Sequence, residues 1–413
     1  PSLSGKVLNY VKFRTSFNRN GNDNLPIYGL DLAYPNGANF PFGTTVGLTV
    51  GNTLPDANLK PEFVTSKEIG AEIRLLDRRV TLDIAAYDQN SKGQVITVKV
   101  PNSTGFPNLL INVGESKNWG YEGDLKFEIL RSNKLSWELG VRYSYNDNKV
   151  VDLFPGVSSF QLADGFTYAN TNVIVGERFP MLKTDGYRYA PDGSGRRLVN
   201  SASGYPIRDA ALQNRGGVLP RHIAGLSSKL DIGNLAFSFT FEYRGGNVFF
   251  SDLGRQMTFT GSGGWTENRD PHIYPNSAIL GADGKTVSDN NVQVREPEYG
   301  LWVDNYRLIS ENFVAPGWFI KLRDINLAFN FPQSLLSKVK VLSGGSVSVF
   351  GRNLITIVDE LNTFTDPEFS RVGDGGLLNS LLNGTGLGNG VGINSTGQTP
   401  PVRQYGVSVN LVF

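Results

Sequence analysis

There is no cysteine among the 413 residues. That excludes disulfides, thiolate metal sites and a cysteine nucleophile, and lipid attachment to a cysteine of this chain. Histidine is scarce: His222 and His272 are the only two. Net charge is nearly nil, since 39 Lys and Arg stand against 38 Asp and Glu. Composition therefore gives no argument for a nucleic-acid partner. No run approaches the ~18 apolar residues that a membrane helix needs. Mean hydropathy is slightly negative, but such an average is blind to strands whose lipid-facing and interior-facing residues alternate and cancel.

What is abundant is glycine (48), phenylalanine (25) and tyrosine (16), and the aromatics fall in alternating patterns. Tyr405, Val407, Val409, Leu411 and Phe413 share one face of a terminal strand, opposite Gly406, Ser408 and Asn410. Leu135, Trp137, Leu139, Val141, Tyr143 and Tyr145 oppose Ser136, Glu138, Gly140, Arg142, Ser144 and Asn146. Leu235, Phe237, Phe239, Phe241 and Tyr243 oppose a face that includes Glu242 and Arg244. Trp119, Tyr121, Leu125 and Phe127 oppose Glu122, Asp124 and Lys126, and Ile69, Ala71, Ile73 and Leu75 oppose Glu68, Glu72 and Arg74. A period of two held over about ten residues is the length of a tilted membrane strand. One face apolar with aromatic ends and the other charged predicts an all-β fold, a transmembrane antiparallel β-barrel with a polar lumen.

Strands are expected near 5–18, 59–75, 79–100, 110–130, 135–153, 219–231, 235–250, 317–331, 339–358 and 402–413. The links between them alternate between short and long. Leu76 to Arg78, Arg131 to Lys134, Ile232 to Asn234 and Pro332 to Lys338 are short. Arg19 to Asn58, Phe154 to Val218, Ser251 to Pro316 and Asp359 to Pro401 are long, and Pro101 to Leu109 is moderate. Short periplasmic turns and long extracellular loops give this alternation, and they put Phe413 on the periplasmic side. In one strand the apolar parity switches near Asp324, which suggests a bulge or a strand rising above the membrane with changed exposure. The low-complexity stretch from Asn379 to Gly397 reads as a loop tip.

Chemistry-bearing motifs are few. Catalysis needs a base with an orienting partner and a substrate site, and no local pattern marks one around His222 or His272. Gly284-Lys285-Thr286 lacks the earlier glycine of a phosphate loop, because Ile279 stands there. Asp283, Asp289, Asp304 and Glu311 are acidic loop groups without calcium-ligand spacing, so no cofactor is expected. Loop aromatics are denser than solvation requires. Tyr187, Tyr189, Trp265, Tyr274, Tyr299, Trp302 and Tyr306 are candidates for stacking on a sugar or peptide, against the simpler role of packing the loops. Glu72, Arg74, Glu122, Asp124, Glu138, Arg142, Glu242 and Arg244 are expected to line the lumen.

Several stretches together resemble the SusC/RagA-like branch of TonB-dependent outer-membrane transporters. These are Asn58-Leu59-Lys60-Pro61-Glu62 with Lys67-Glu68-Ile69-Gly70-Ala71-Glu72, and Asn112-Val113-Gly114-Glu115 running on to Trp119-Gly120-Tyr121-Glu122. They also include Leu322-Arg323-Asp324-Ile325-Asn326-Leu327 with Phe331-Pro332, then Gly351-Arg352-Asn353-Leu354 and Asp366-Pro367-Glu368. The resemblance implies that residues 1–413 are the C-terminal ten or so strands of a barrel of about 22, with the plug and earlier strands outside this chain. It further implies active import of oligosaccharides or peptides across the outer membrane of a Gram-negative bacterium. A SusD-like surface lipoprotein would act as the lid, and energy would come through TonB, contacted by the part outside this chain. Lumen charges would touch the plug, and the barrel-assembly machine would read Tyr405, Val407, Val409, Leu411 and Phe413. Two alternatives stay open: a SusC-like scaffold that does not transport, and a small self-contained barrel such as a protease using His222 or His272.

Overall fold

The computed structural model describes residues 7–413 except 23, 24, 26, 133, 155, 163–165, 298, 340, 369–391, 395 and 397–400. Ten strands follow one another as an antiparallel meander, each paired with its sequence neighbour. They are β1 (Leu8–Asn22), β2 (Glu62–Leu75), β3 (Val80–Lys99), β4 (Asn108–Arg131), β5 (Leu135–Asp152), β6 (His222–Ile232), β7 (Leu235–Gly245), β8 (Phe319–Asn330), β9 (Gly344–Val358) and β10 (Gln404–Val412). A short strand, Thr53–Pro55, adds to β4 in parallel. β1 and β10 are the edges of this sheet. No helix among the described residues is long and apolar enough to cross a membrane.

The pairing register converts ten local alternations into two continuous faces. Val11, Ile73, Leu82, Leu125, Val141, Leu226, Phe241, Leu322 and Ile355 are successive partners across nine strands. One residue along, the same walk reads Lys12, Glu72, Asp83, Asp124, Arg142, Gly225, Glu242, Lys321 and Thr356. Slipping any strand by one residue would push a row of charges into hydrocarbon, so the faces fix the register. Phe13, Val349 and Val407 stay mostly exposed on the apolar face, as side chains do when lipid rather than protein covers them.

The bulge is where the parity switch placed it. Phe241 pairs with Leu322 and Phe239 with Ile325, so two steps on β7 match three on β8. Arg323 is the extra residue, and its insertion keeps Ile320, Leu322, Ile325 and Leu327 on one face. Three non-glycine residues, Leu76, Asp77 and Arg78, take left-handed φ of 54°, 55° and 65° in the tight β2–β3 turn. That turn is held by Leu76 N–H to the Val7 carbonyl at 2.8 Å and Arg78 N–H to Asn9 Oδ1 at 2.9 Å.

Two boundaries differ from the sequence reading. β7 ends at Gly245 rather than near 250, because Gly246 turns the chain at φ 86°. Val248–Ser251 then joins a separate small sheet with Val314–Pro316 and Ile393–Asn394. β9 begins at Gly344 rather than near 339, since a helical turn at Gln333–Leu336 lengthens the link. Most of Asn379 to Gly397 lies outside the described residues.

The dry core is in the loops. The β5–β6 link builds a four-stranded sheet from Ser159–Gln161, Ala169–Ile174, Met181–Tyr187 and Arg208–Gly217. The β7–β8 link adds a helix, α1 (Asp252–Thr260), capped by the Ser251 side chain on Gly254 N–H and closed by left-handed Gly261. Ala169, Leu182, Val218, Phe250, Phe313 and Ile393 form one buried cluster, and Tyr187, Val199, Tyr274, Val294, Leu301 and Ile309 form another.

Candidate functional site

Every long link leaves the same end of the sheet, so the folded loops form a layer over one mouth of it. The layer is held by charges that bridge loops distant in sequence. Asp185 is fully buried and accepts from Arg208 Nε at 2.8 Å and from Ser310 N–H at 2.7 Å. Glu311 takes Arg215 at 3.0 Å, Tyr187 N–H at 3.1 Å and the Tyr189 hydroxyl. These contacts staple the β5–β6 link to the β7–β8 link.

The aromatic candidates divide on burial. Tyr187 and Tyr274 are 1% and 5% exposed and hydrogen-bond each other through their hydroxyls at 2.7 Å. Burial pushes both hydroxyls above their ordinary pKa. Their rings are enclosed, so the expectation that they stack on ligand is corrected: they are core. Tyr306 lies against Phe313 and Trp302, and burial raises its pKa too. Trp302 donates to the Asn268 carbonyl at 3.1 Å. Trp265 donates to Thr258 Oγ1 at 2.9 Å and meets Phe364 edge-on at 5.2 Å. Tyr189 and Tyr299, at 39% and 61% exposure, are the most exposed of the seven candidates.

The eight charged candidates all fall on the polar face of the sheet by register. Glu72, Asp124, Arg142 and Glu242 share one row, Glu122 and Arg244 the next, and Arg74 and Glu138 lie nearer the tight turns. Most are paired along the wall: Arg74 with Glu72 at 2.7 Å, Arg142 with Asp124 at 2.6 Å and Glu138 with Lys126 at 2.7 Å. A recess of about 490 Å³ opens on this face between Arg14, Asp83, Glu122, Asp124, Arg142 and Glu242.

Sequence reasoning missed the strongest polar cluster. After β9 the chain folds back onto the polar face and delivers Asp366 and Glu368 to β8. Lys321 is fully buried there, 2.8 Å from Asp366 and 2.7 Å from Glu368. Glu368 also takes Arg323, which reaches Glu242 at 2.9 Å, and Glu242 takes Arg244. The network holds three cations and three carboxylates, so its charge is balanced. Burial raises the Glu368 pKa, but the hydrogen bonds from Arg323 and Lys321 outweigh it and hold the carboxyl at about 2. The signal was present as two separate motifs, Lys321 to Asp324 and Asp366-Pro367-Glu368. Nothing local says that they meet.

The metal and catalytic alternatives find no geometry among the described residues. Asp283 is spent on its own turn, accepting Thr286 N–H at 2.9 Å, and Asp289 pairs with Arg196 at 2.7 Å. No three acidic or histidine side chains converge. His222 Nδ1 bonds the Tyr143 hydroxyl at 2.8 Å on the outward face, and His272 Nδ1 bonds the Asp270 carbonyl at 2.7 Å. Neither has a carboxylate to orient it.

A family model described as "TonB dependent receptor-like, beta-barrel" matches residues 4–354. TonB-dependent receptor P26 of Formosa agariphila is 27% identical over 400 residues, covering 89% of this chain and 37% of its own length. TonB-dependent receptor SusC of Bacteroides thetaiotaomicron is 24% identical, covering 83% of this chain and 34% of its own. The solved RagAB peptide transporter aligns over 98% of this chain and 41% of its own, with a TM-score of 0.68 at 18% identity. The chain thus spans little more than a third of the curated relatives it matches. Those relatives are receptors and transporters, not enzymes.

Proposed function

From the membership of this chain in the TonB-dependent receptor-like β-barrel family, an outer-membrane family, we propose that it forms one wall and much of the mouth of an importer of oligosaccharides or peptides. The observation that carries this reading is the two-tier build. A two-faced sheet ten strands wide stands in the bilayer, and a separately cored loop layer roofs one end of it. A rigid scaffold presenting structured loops is how recognition surfaces are made.

In this reading the polar face is the lumen wall. The recess beside Glu122 and the paired charges around it solvate the passage and meet a plug supplied by another part of the protein. Tyr189 and Tyr299, the open aromatics of the loop layer, contact substrate by stacking. A SusD-like surface lipoprotein closes over the loops. TonB pulls on the plug, and the charge-balanced wall lets the plug slide without leaving a bare ion behind. Tyr405, Val407, Val409 and Leu411 on the exposed edge strand β10, with Phe413 just after it, present the assembly signal. The RagAB comparison favours peptides within this class, since that relative is a peptide transporter.

The test is uptake by cells carrying the full-length protein, with fluorescent oligopeptides and maltooligosaccharides offered in parallel. Uptake of either that stops when TonB is deleted, together with a lipoprotein recovered in near-equal amount on a tag, supports the proposal. Correct insertion with neither uptake nor lipoprotein would return the protein to the scaffold reading.

A further inference from the structure

The outward face carries a notch near β1. Ala71 on β2, Ala86 on β3 and Gly123 on β4 leave its floor low, while Phe13, Ile69 and Tyr121 stand around it. Phe13 and Ile69 are 79% and 65% exposed, so the walls project outward. The result is an apolar recess of about 560 Å³.

Its height in the bilayer follows from the register. Ile69, Ala86, Tyr121 and Tyr145 make one outward row. The next outward row toward the loops is Phe17, Lys67, Asp88, Trp119 and Asp147, and the one after holds Arg19, Lys117 and Lys149. In the other direction the outward rows stay apolar down to Leu75, Val80 and Phe127. From Lys67 to Leu75 is roughly 26 Å along the strand. Tilted by about 40°, that spans roughly 20 Å, close to the apolar band of an outer-membrane barrel. The recess therefore opens immediately beneath the headgroup level of the loop-side leaflet.

The fringe above it is cationic. Lys67 and Lys149 have no ion-pair partner among the described residues. Asp147 is held by Arg178 at 2.7 Å, and Asp88 has Lys117 at 3.5 Å. Arg19 lies over the Phe63 ring at 4.5 Å. A second copy of this wall packed across a two-fold axis would bring like charges face to face. A phosphate headgroup above an acyl chain meets both parts of the surface with the matching chemistry.

We propose that this notch is a specific lipid site: one acyl chain of a phosphate-bearing lipid lies over Ala71, Ala86 and Gly123, and Lys67 holds its headgroup. The proposal uses only the orientation of the sheet in the membrane and does not depend on what is imported.

The test uses the full-length protein, extracted and stripped of lipid, with folding verified by heat-modifiable migration on a gel. Native mass spectrometry counts molecules bound from micelles doped with phosphatidylglycerol or with phosphatidylcholine. Wild type should retain one phosphatidylglycerol in clear preference to phosphatidylcholine. Lys67→Glu should weaken the phosphatidylglycerol about fivefold, as expected for a lysine near a charged headgroup, and leave phosphatidylcholine unchanged. Gly123→Leu should abolish retention of both by filling the notch. A Cβ at Gly123 meets Ile84 at 3.7 Å, an ordinary contact, so the backbone does not resist the change. Undiminished phosphatidylglycerol binding in Gly123→Leu would overturn the proposal. So would equal binding of the two lipids by wild type, or a protein dimer lost in Gly123→Leu while lipid binding stays the same.

Discussion

Replacing Glu368 with glutamine should free the segment after β9 from the wall while leaving the wall intact. The magnitude follows from the ionisation of the group. A carboxyl held at about 2 against an ordinary 4.5 contributes about 3 kcal/mol to the folded arrangement at neutral pH. That agrees with the 3–5 kcal/mol typical of breaking a buried pair from one side. Its partner Lys321 is fully buried and cannot recruit water in exchange. Asp366 remains on Lys321, and Glu242 remains on Arg323, so the loss stays local. About 3 kcal/mol corresponds to roughly a hundredfold rise in local opening. Hydrogen exchange reads this directly: amides of residues 359–368 should exchange faster by about that factor, and those of β3 and β4 should not change. The pH dependence has a definite sign. Because the folded-state pKa is lowered, the contribution is complete above pH 4.5 and fades as pH falls toward 2. Wild type should therefore approach the variant across that window. Unchanged exchange in Glu368→Gln, or a wild type insensitive to acid there, would refute the reasoning.

Three further outcomes are expected. Gly254→Val should loosen the loop layer by about 1–3 kcal/mol, because a Cβ at Gly254 would sit 2.5 Å from the Phe364 ring; thermal unfolding followed by tryptophan fluorescence checks it. Tyr299→Ala should weaken substrate capture with little effect on stability. Tyr187→Phe should do the reverse, losing about 1 kcal/mol of hydrogen bonding, with uptake and melting measured on the same preparations. Deleting Phe413 should cut outer-membrane insertion far more than Leu377→Ala, scored by fractionation; equal insertion would remove the terminal-signal argument.

The wall was legible because lipid and lumen impose a period of two on every strand, and that period needs no partner to be visible. Even the bulge at Arg323 could be located, since a parity switch between Leu322 and Ile325 has few other causes. The loop layer was not legible. Its strands are short, such as Met181–Tyr187 and Val248–Ser251, and they pair with segments far away in sequence. No local rule separates Tyr187, sealed in a core, from Tyr189 two residues on, which faces solvent. The Lys321 network was hidden for the same reason. Its acids and bases belong to different elements, and only the fold brings them together.

The placement of the dry core has a consequence for how this chain tolerates change. Outward positions of the wall are constrained only to be greasy, because fluid hydrocarbon reshapes itself around whatever is offered. Interior positions of the loop layer are packed against one another and accept few alternatives. Drift among descendants should therefore be free where the protein touches lipid and jammed where it touches itself. New specificities would be reached by exchanging whole roofs over an old wall rather than by editing the wall.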